Sequence, residues 1–134
     1  MTRFILASSS PRRYLLLRAA GFEFEVEAPD VDEYAIDGEE PDRMVLRLAR
    51  EKALACAGSP DTIVLGADTT VVLDGRILGK PEGETEAVEM LLSISGRTHV
   101  VVTGWALARA ARIVEDGFET TLVSMRSVNR EDAE

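Results

Sequence analysis

The chain opens on an apolar run, Phe4-Ile5-Leu6-Ala7, that stops at Ser8-Ser9-Ser10-Pro11-Arg12-Arg13. Four apolar residues ahead of a hydroxyl cluster predict a buried strand. Ser10 suits an N-cap and Pro11 the first helical position, so a helix should begin there with Arg12 and Arg13 in its first turn. From Phe22 to Ala28 apolar residues alternate with Glu23, Glu25 and Glu27, the pattern of a strand with one wet face. Glu40-Pro41 opens a helix expected to run to about Cys56, before Gly58 and Pro60. At helical spacing Val45, Leu48, Ala49 and Cys56 form one stripe, with Arg43, Arg47, Arg50 and Glu51 opposite. Ile63-Val64-Leu65 and Val71-Val72-Leu73 read as two strands separated by Gly66-Ala67-Asp68-Thr69-Thr70. Asp74-Gly75 then predicts a tight hairpin into Ile77-Leu78. Thr85 to Ile94 fits an amphipathic helix closed by Gly96. Arg97 to Gly104 has period two, placing Arg97, His99, Val101 and Thr103 on one face. Trp105–Ala108 and Ile113–Val128 read as two further strands, with a turn near Ala110-Ala111-Arg112. The sum is a mixed α/β fold, a twisted sheet flanked by helices, forming a single domain over residues 1–134.

Composition narrows the classes of function. With 134 residues, 46% of them hydrophobic, the chain can bury one modest core. A lone cysteine, Cys56, excludes an internal disulfide and is expected as a small core residue. The apolar stretch from Thr62 to Leu73 is broken by Gly66 and Asp68, so no membrane span is expected. The N-terminus runs directly into a strand, which argues against a signal peptide and for a cytoplasmic protein. A net charge of −9 argues against binding a nucleic acid polymer. An anionic substrate would therefore need a local basic pocket on an acidic surface.

Five places could supply such chemistry. A helix N-terminus presents unpaired N–H groups, and two arginines in its first turn are unfavourable there unless an anion binds. Phosphate suits the serine hydroxyls, amides and guanidinium forks of residues 8–13. The alternative is a capped surface helix whose arginines face water. Thirteen of the fifteen basic residues are arginine, and the two lysines, Lys52 and Lys80, both fall at notable positions. Lys52 projects from the apolar stripe of its helix, where its ammonium must meet an anion or snorkel to an edge. Lys80 stands in a rigid loop between Gly79 and Pro81. Asp68 lies between two apolar segments, where a carboxylate is a structural turn residue, a Mg²⁺ ligand or a general base. Glu33 belongs to an acidic stretch from Asp30 to Glu40 that is either a solvated loop or a source of a metal-holding carboxylate. His99, the only histidine, cannot make a zinc site alone and is expected as a hydrogen-bonded structural residue.

The stretches Leu6–Arg13, Val31-Asp32-Glu33, Glu51-Lys52-Ala53, Gly66-Ala67-Asp68-Thr69, Gly79-Lys80-Pro81 and Ser95–Gly104 occur in one order. Together they resemble the Maf family of nucleoside triphosphate pyrophosphatases. The resemblance implies a Maf/ITPase-like fold, a nucleoside triphosphate substrate and metal-dependent cleavage between its α- and β-phosphates. It further implies a divalent cation, Mg²⁺ or Mn²⁺, and a homodimer. Asp68, Lys80, Glu33 and Lys52 correspond to the catalytic set, with Glu33 and Asp68 as metal ligands. Ser8, Ser10, Arg12, Arg13, Thr69 and Arg97 correspond to substrate-binding residues. Thr69 after Asp68 resembles the dTTP/UTP branch. Family members continue past the strand ending near Val128 into a segment associated with base recognition, which this sequence lacks. From that follows one alternative, a catalytically impaired nucleotide-binding or regulatory module related to Maf proteins linked to septum formation; a separate one is a generic sugar-phosphate or phosphate enzyme.

Overall fold

The computed structural model describes residues 3–34, 36–79, 82–129 and 131. Its elements are β1 (Arg3–Ala7), α1 (Pro11–Ala19), β2 (Glu25–Glu27), α2 (Pro41–Cys56), β3 (Thr62–Leu73), β4 (Arg76–Leu78), α3 (Glu84–Ile94), β5 (Thr98–Arg109) and β6 (Arg112–Ser124). The strands make a six-stranded sheet in the order β2-β1-β3-β5-β6, with β4 paired to β3. β1 runs parallel to β2 and to β3, and β4 antiparallel to β3. A mixed sheet with three helices is the architecture the sequence predicts. Among the described residues no helix is long and apolar enough to cross a membrane.

The chain groups into two compact units, Met1–Asp68 with Thr103–Glu119 and Thr69–Val102 with Thr120–Glu134. In the first, the core gathers Ile5, Ala7, Ala49, Ala53, Ala57, Val64, Ala106 and Ala108. Alanine dominates because α2 lies almost in backbone contact with the sheet. A Cβ on Gly66 of β3 would collide with Ala49 O and Ala53 N of α2. One on Gly104 of β5 would collide with the Val45 carbonyl group. Glycine at these two places sets the depth at which α2 sits.

The same contact explains one difference from the sequence reading. β3 does not break at Gly66–Thr70 but runs through as one strand. Gly66 marks the close approach of a helix, and the carboxylate of Asp68 is paired, so neither residue ends the strand. β5 is likewise continuous from Thr98 to Arg109. β2 is shorter than the alternation predicts. α1 closes in a Schellman turn, with Gly21 at φ 88° and bonds from Gly21 N to Arg18 O and Phe22 N to Leu17 O. Phe22 and Phe24 then pack on Phe4, at ring separations of 6.1 and 6.4 Å, instead of pairing in the sheet. Cys56 is partly buried against the core rather than within it.

In the second unit Val88 and Ile94 anchor α3, and Gly96 follows it at φ 63°. The Asp74-Gly75 turn has positive φ at both positions, as the hairpin requires. β6 stops at Ser124 rather than Val128. Ser95 Oγ accepts from Val128 N at 2.7 Å and donates to Val128 O at 3.0 Å, drawing those residues out of the ladder. His99 is buried, and its Nδ1 has no hydrogen-bond partner among the described residues.

Candidate active site

The site in the first unit begins where two parallel strands end their pairing. β1 pairs with β3 up to Ala7 opposite Gly66, so Ser8 and Asp68 both lie just beyond the same rung. Carboxyl ends of parallel strands are the usual ligand-binding edge of an α/β sheet. Ser8 is buried, its N–H donates to Glu27 O at 3.0 Å, and its Oγ accepts from Ser10 N at 3.0 Å. Ser10 is the N-cap of α1, accepting from Arg13 N at 3.4 Å, with Pro11 in the first turn. Arg12 and Arg13 therefore sit at the positive end of a capped helix, as the sequence predicts. Arg12 is exposed and Arg13 half-buried. Burial pulls the Arg13 guanidinium below its ordinary value, while the charges of Asp68 and Glu33 pull it back.

The centre is Lys52. Its side chain is only 12% exposed, and its ammonium does not snorkel. It meets Glu33 Oε1 at 2.6 Å, Asp68 Oδ1 at 3.0 Å and the Ala67 carbonyl at 3.5 Å. The choice left open by the sequence is thus decided for an anionic partner. Asp68 is 6% exposed, and a carboxylate at that depth is stable only with such a cation. Glu33, more exposed, comes from the acidic loop. Lys52 thereby joins three segments distant in sequence: the loop, α2 and β3.

Glu33 and Asp68 are also the candidates for holding a divalent cation. Glu33 and Asp68 aim oxygens at one point that a cation, the Lys52 ammonium, already marks. Among the described residues no cluster of three or more His, Cys, Asp or Glu is placed to hold an ion. Two hard carboxylate oxygens fit Mg²⁺ or Mn²⁺, which keep several waters and take the remaining ligands from phosphate. The donor set fits an ion shared with a substrate.

Three predicted residues lie outside the described residues of the first unit. Thr69 is exposed, and Arg97 pairs with Asp74; both belong to the second unit. Lys80 lies outside the described residues. One residue was misplaced by the helical-wheel reading. Arg47, expected to face water, is 18% exposed and holds Glu39 through Nε and Nη2, both at 2.9 Å. The i,i+4 spacing of Arg47 and Glu51 was the only sequence signal of that network, and the two lie 3.6 Å apart.

The family described as Maf-like protein matches residues 3–134. A dTTP/UTP pyrophosphatase from Symbiobacterium thermophilum is 48% identical over 132 residues, covering 98% of this chain and 68% of that protein. A dTTP/UTP pyrophosphatase from Methylobacillus flagellatus is 48% identical over 135 residues, covering 98% and 67% respectively. The chain thus spans about two thirds of the length of these curated relatives. Among solved structures, a HAM1 protein from Coxiella burnetii superposes with a TM-score of 0.60 at 16% identity, covering 91% of this chain and 71% of that one. That likeness establishes a shared fold.

Proposed function

Because the chain belongs to the Maf-like protein family, we propose that it is a nucleoside triphosphate pyrophosphatase, hydrolysing the α–β phosphate bond to a monophosphate and pyrophosphate. The observation that carries this reading is Lys52 bridging Asp68 and Glu33 beside the capped N-terminus of α1. Such an arrangement offers positive charge and backbone donors for phosphate on one side and a held carboxylate on the other. dTTP and UTP are the proposed substrates, supported by the relatives' names and by Thr69 following Asp68 in sequence.

Asp68 accepts the proton of the attacking water, and its buried, fixed carboxylate keeps that water in line with the α-phosphorus. Lys52 holds Asp68 in place and places a charge beside the oxygens on which negative charge develops. Arg12 and Arg13 neutralise the phosphates, and Ser8 and Ser10 supply hydroxyls next to them. Glu33 and Asp68 would hold the divalent ion, taken as Mg²⁺, which when bound would supply neutralisation of phosphate charge. The parts given by resemblance alone, Lys80 and Arg97 at the substrate, a homodimer and a cytoplasmic setting, complete the reading.

The test is Asp68→Asn, a near-isosteric change that removes the base. Turnover should fall by at least the ~10²–10³ lost with a single transition-state donor, while triphosphate binding persists. Unchanged turnover per bound substrate would remove Asp68 from this role. Binding of dTTP with no turnover by the wild type would favour a nucleotide-binding module instead.

A further inference from the structure

Glu33 lies on a stretch with no helix or strand among its described residues, so no ladder fixes it. Besides the pair of Glu33 with Lys52, that stretch is tied to α2 by Arg47, five residues before Lys52. Its Nε and Nη2 grip Glu39, Nη2 also donates to the Tyr34 carbonyl at 3.0 Å, and the guanidinium lies 4.7 Å over the Tyr34 ring. Glu39 is itself only 13% exposed, so this is a desolvated, two-pronged pair rather than a surface contact. The hydrogen bond from Arg47 holds the Glu39 carboxyl below its ordinary range. Tyr34 is the residue directly after Glu33, so a bond to its carbonyl anchors the chain one residue along from Glu33.

We infer that Arg47 is a positioning residue: by clamping Tyr34 and Glu39 it holds the Glu33 carboxylate against Lys52, facing Asp68. The inference rests on the reading of Glu33 as a metal-holding carboxylate. Arginine is required, because the clamp uses two parallel N–H bonds, a third bond to a carbonyl and a flat face over a ring. A lysine keeps the charge but can supply neither the fork nor the stacking.

The experiment is a cycle of Arg47→Lys, Glu33→Gln and the double variant in the full chain. Mn²⁺ alone is titrated, and the free ion is followed by electron paramagnetic resonance. Arg47→Lys should weaken Mn²⁺ binding by about 10–100-fold, as loss of a residue supporting a metal ligand does. In the Glu33→Gln background it should have no further effect, which a general loss of structure could not mimic. Equal weakening in both backgrounds, or Arg47→Lys binding like the wild type, overturns the inference while leaving Glu33 as a ligand. Wild-type binding by Glu33→Gln overturns the underlying metal reading and the inference with it. Should Arg47→Lys fail to fold by circular dichroism, Glu39→Ala removes both prongs, and the same outcomes apply.

Discussion

Gly66→Ala should damage the site without touching any residue in it. The new methyl would stand 2.6 Å from Ala53 N and closer still to Ala49 O, both backbone atoms of α2 that no rotamer change can move. α2 must retreat by about 1 Å to restore ordinary contact. Lys52 rides on that stretch of helix, and its 3.0 Å bond to Asp68 is already near the usual donor–acceptor distance. A retreat of this size takes the pair past hydrogen-bonding range. Overpacking of this kind costs about 1–3 kcal/mol, and a misplacement near 1 Å can lower a rate by about 10². Urea unfolding should therefore show a lower midpoint at unchanged m, and pyrophosphate release should fall in step. Gly58→Ala is the control, since a methyl there meets nothing within 4 Å. A Gly66→Ala protein with wild-type midpoint and turnover would refute the idea that this contact seats Lys52. Lost stability with intact turnover would separate the helix position from the chemistry.

The β5–β6 turn has positive φ at two alanines, Ala110 (51°) and Ala111 (61°), where glycine or asparagine is at ease. Ala110→Asn with Ala111→Gly should raise stability by about 1–2 kcal/mol, read by urea unfolding, because left-handed alanine carries roughly that strain per residue. Lys52→Met should destabilise by about 3 kcal/mol, since it leaves Asp68 buried without a cation. Adding Asp68→Asn should restore much of that loss, and strictly additive effects in the unfolding midpoints would contradict the pairing. Burial, aided by Glu27, pushes the Cys56 thiol up from 9.0 to about 11. The folded protein therefore keeps a proton that the unfolded chain releases, and stability should decline as pH rises from about 9 to 11. Cys56→Ala should lack that component of the slope in melts taken across the same range.

Much of this was legible in the sequence because it rests on local rules. The N-cap at Ser10 with Pro11, the Asp74-Gly75 hairpin and the span of α2 each follow from a few adjacent residues and were found where expected. The pairing of Lys52 needed more. Periodicity showed a lysine on an apolar stripe, but only the fold could bring β3 and the acidic loop to its ammonium. Gly66 misled, because a glycine that admits a helix backbone reads like one that breaks a strand. Arg47 misled for the opposite reason, since a helical wheel assigns a face but cannot know that a loop will cover it.

The most direct measurement is to incubate the chain with dTTP or UTP and Mg²⁺ and separate the products by anion exchange. Nucleoside monophosphate and pyrophosphate in equal amounts are the expected products, with Asp68→Asn producing neither at a comparable rate. Nucleoside diphosphate and inorganic phosphate would contradict attack at the α-phosphorus. Absence of turnover in a folded protein that binds dTTP would contradict the catalytic reading altogether.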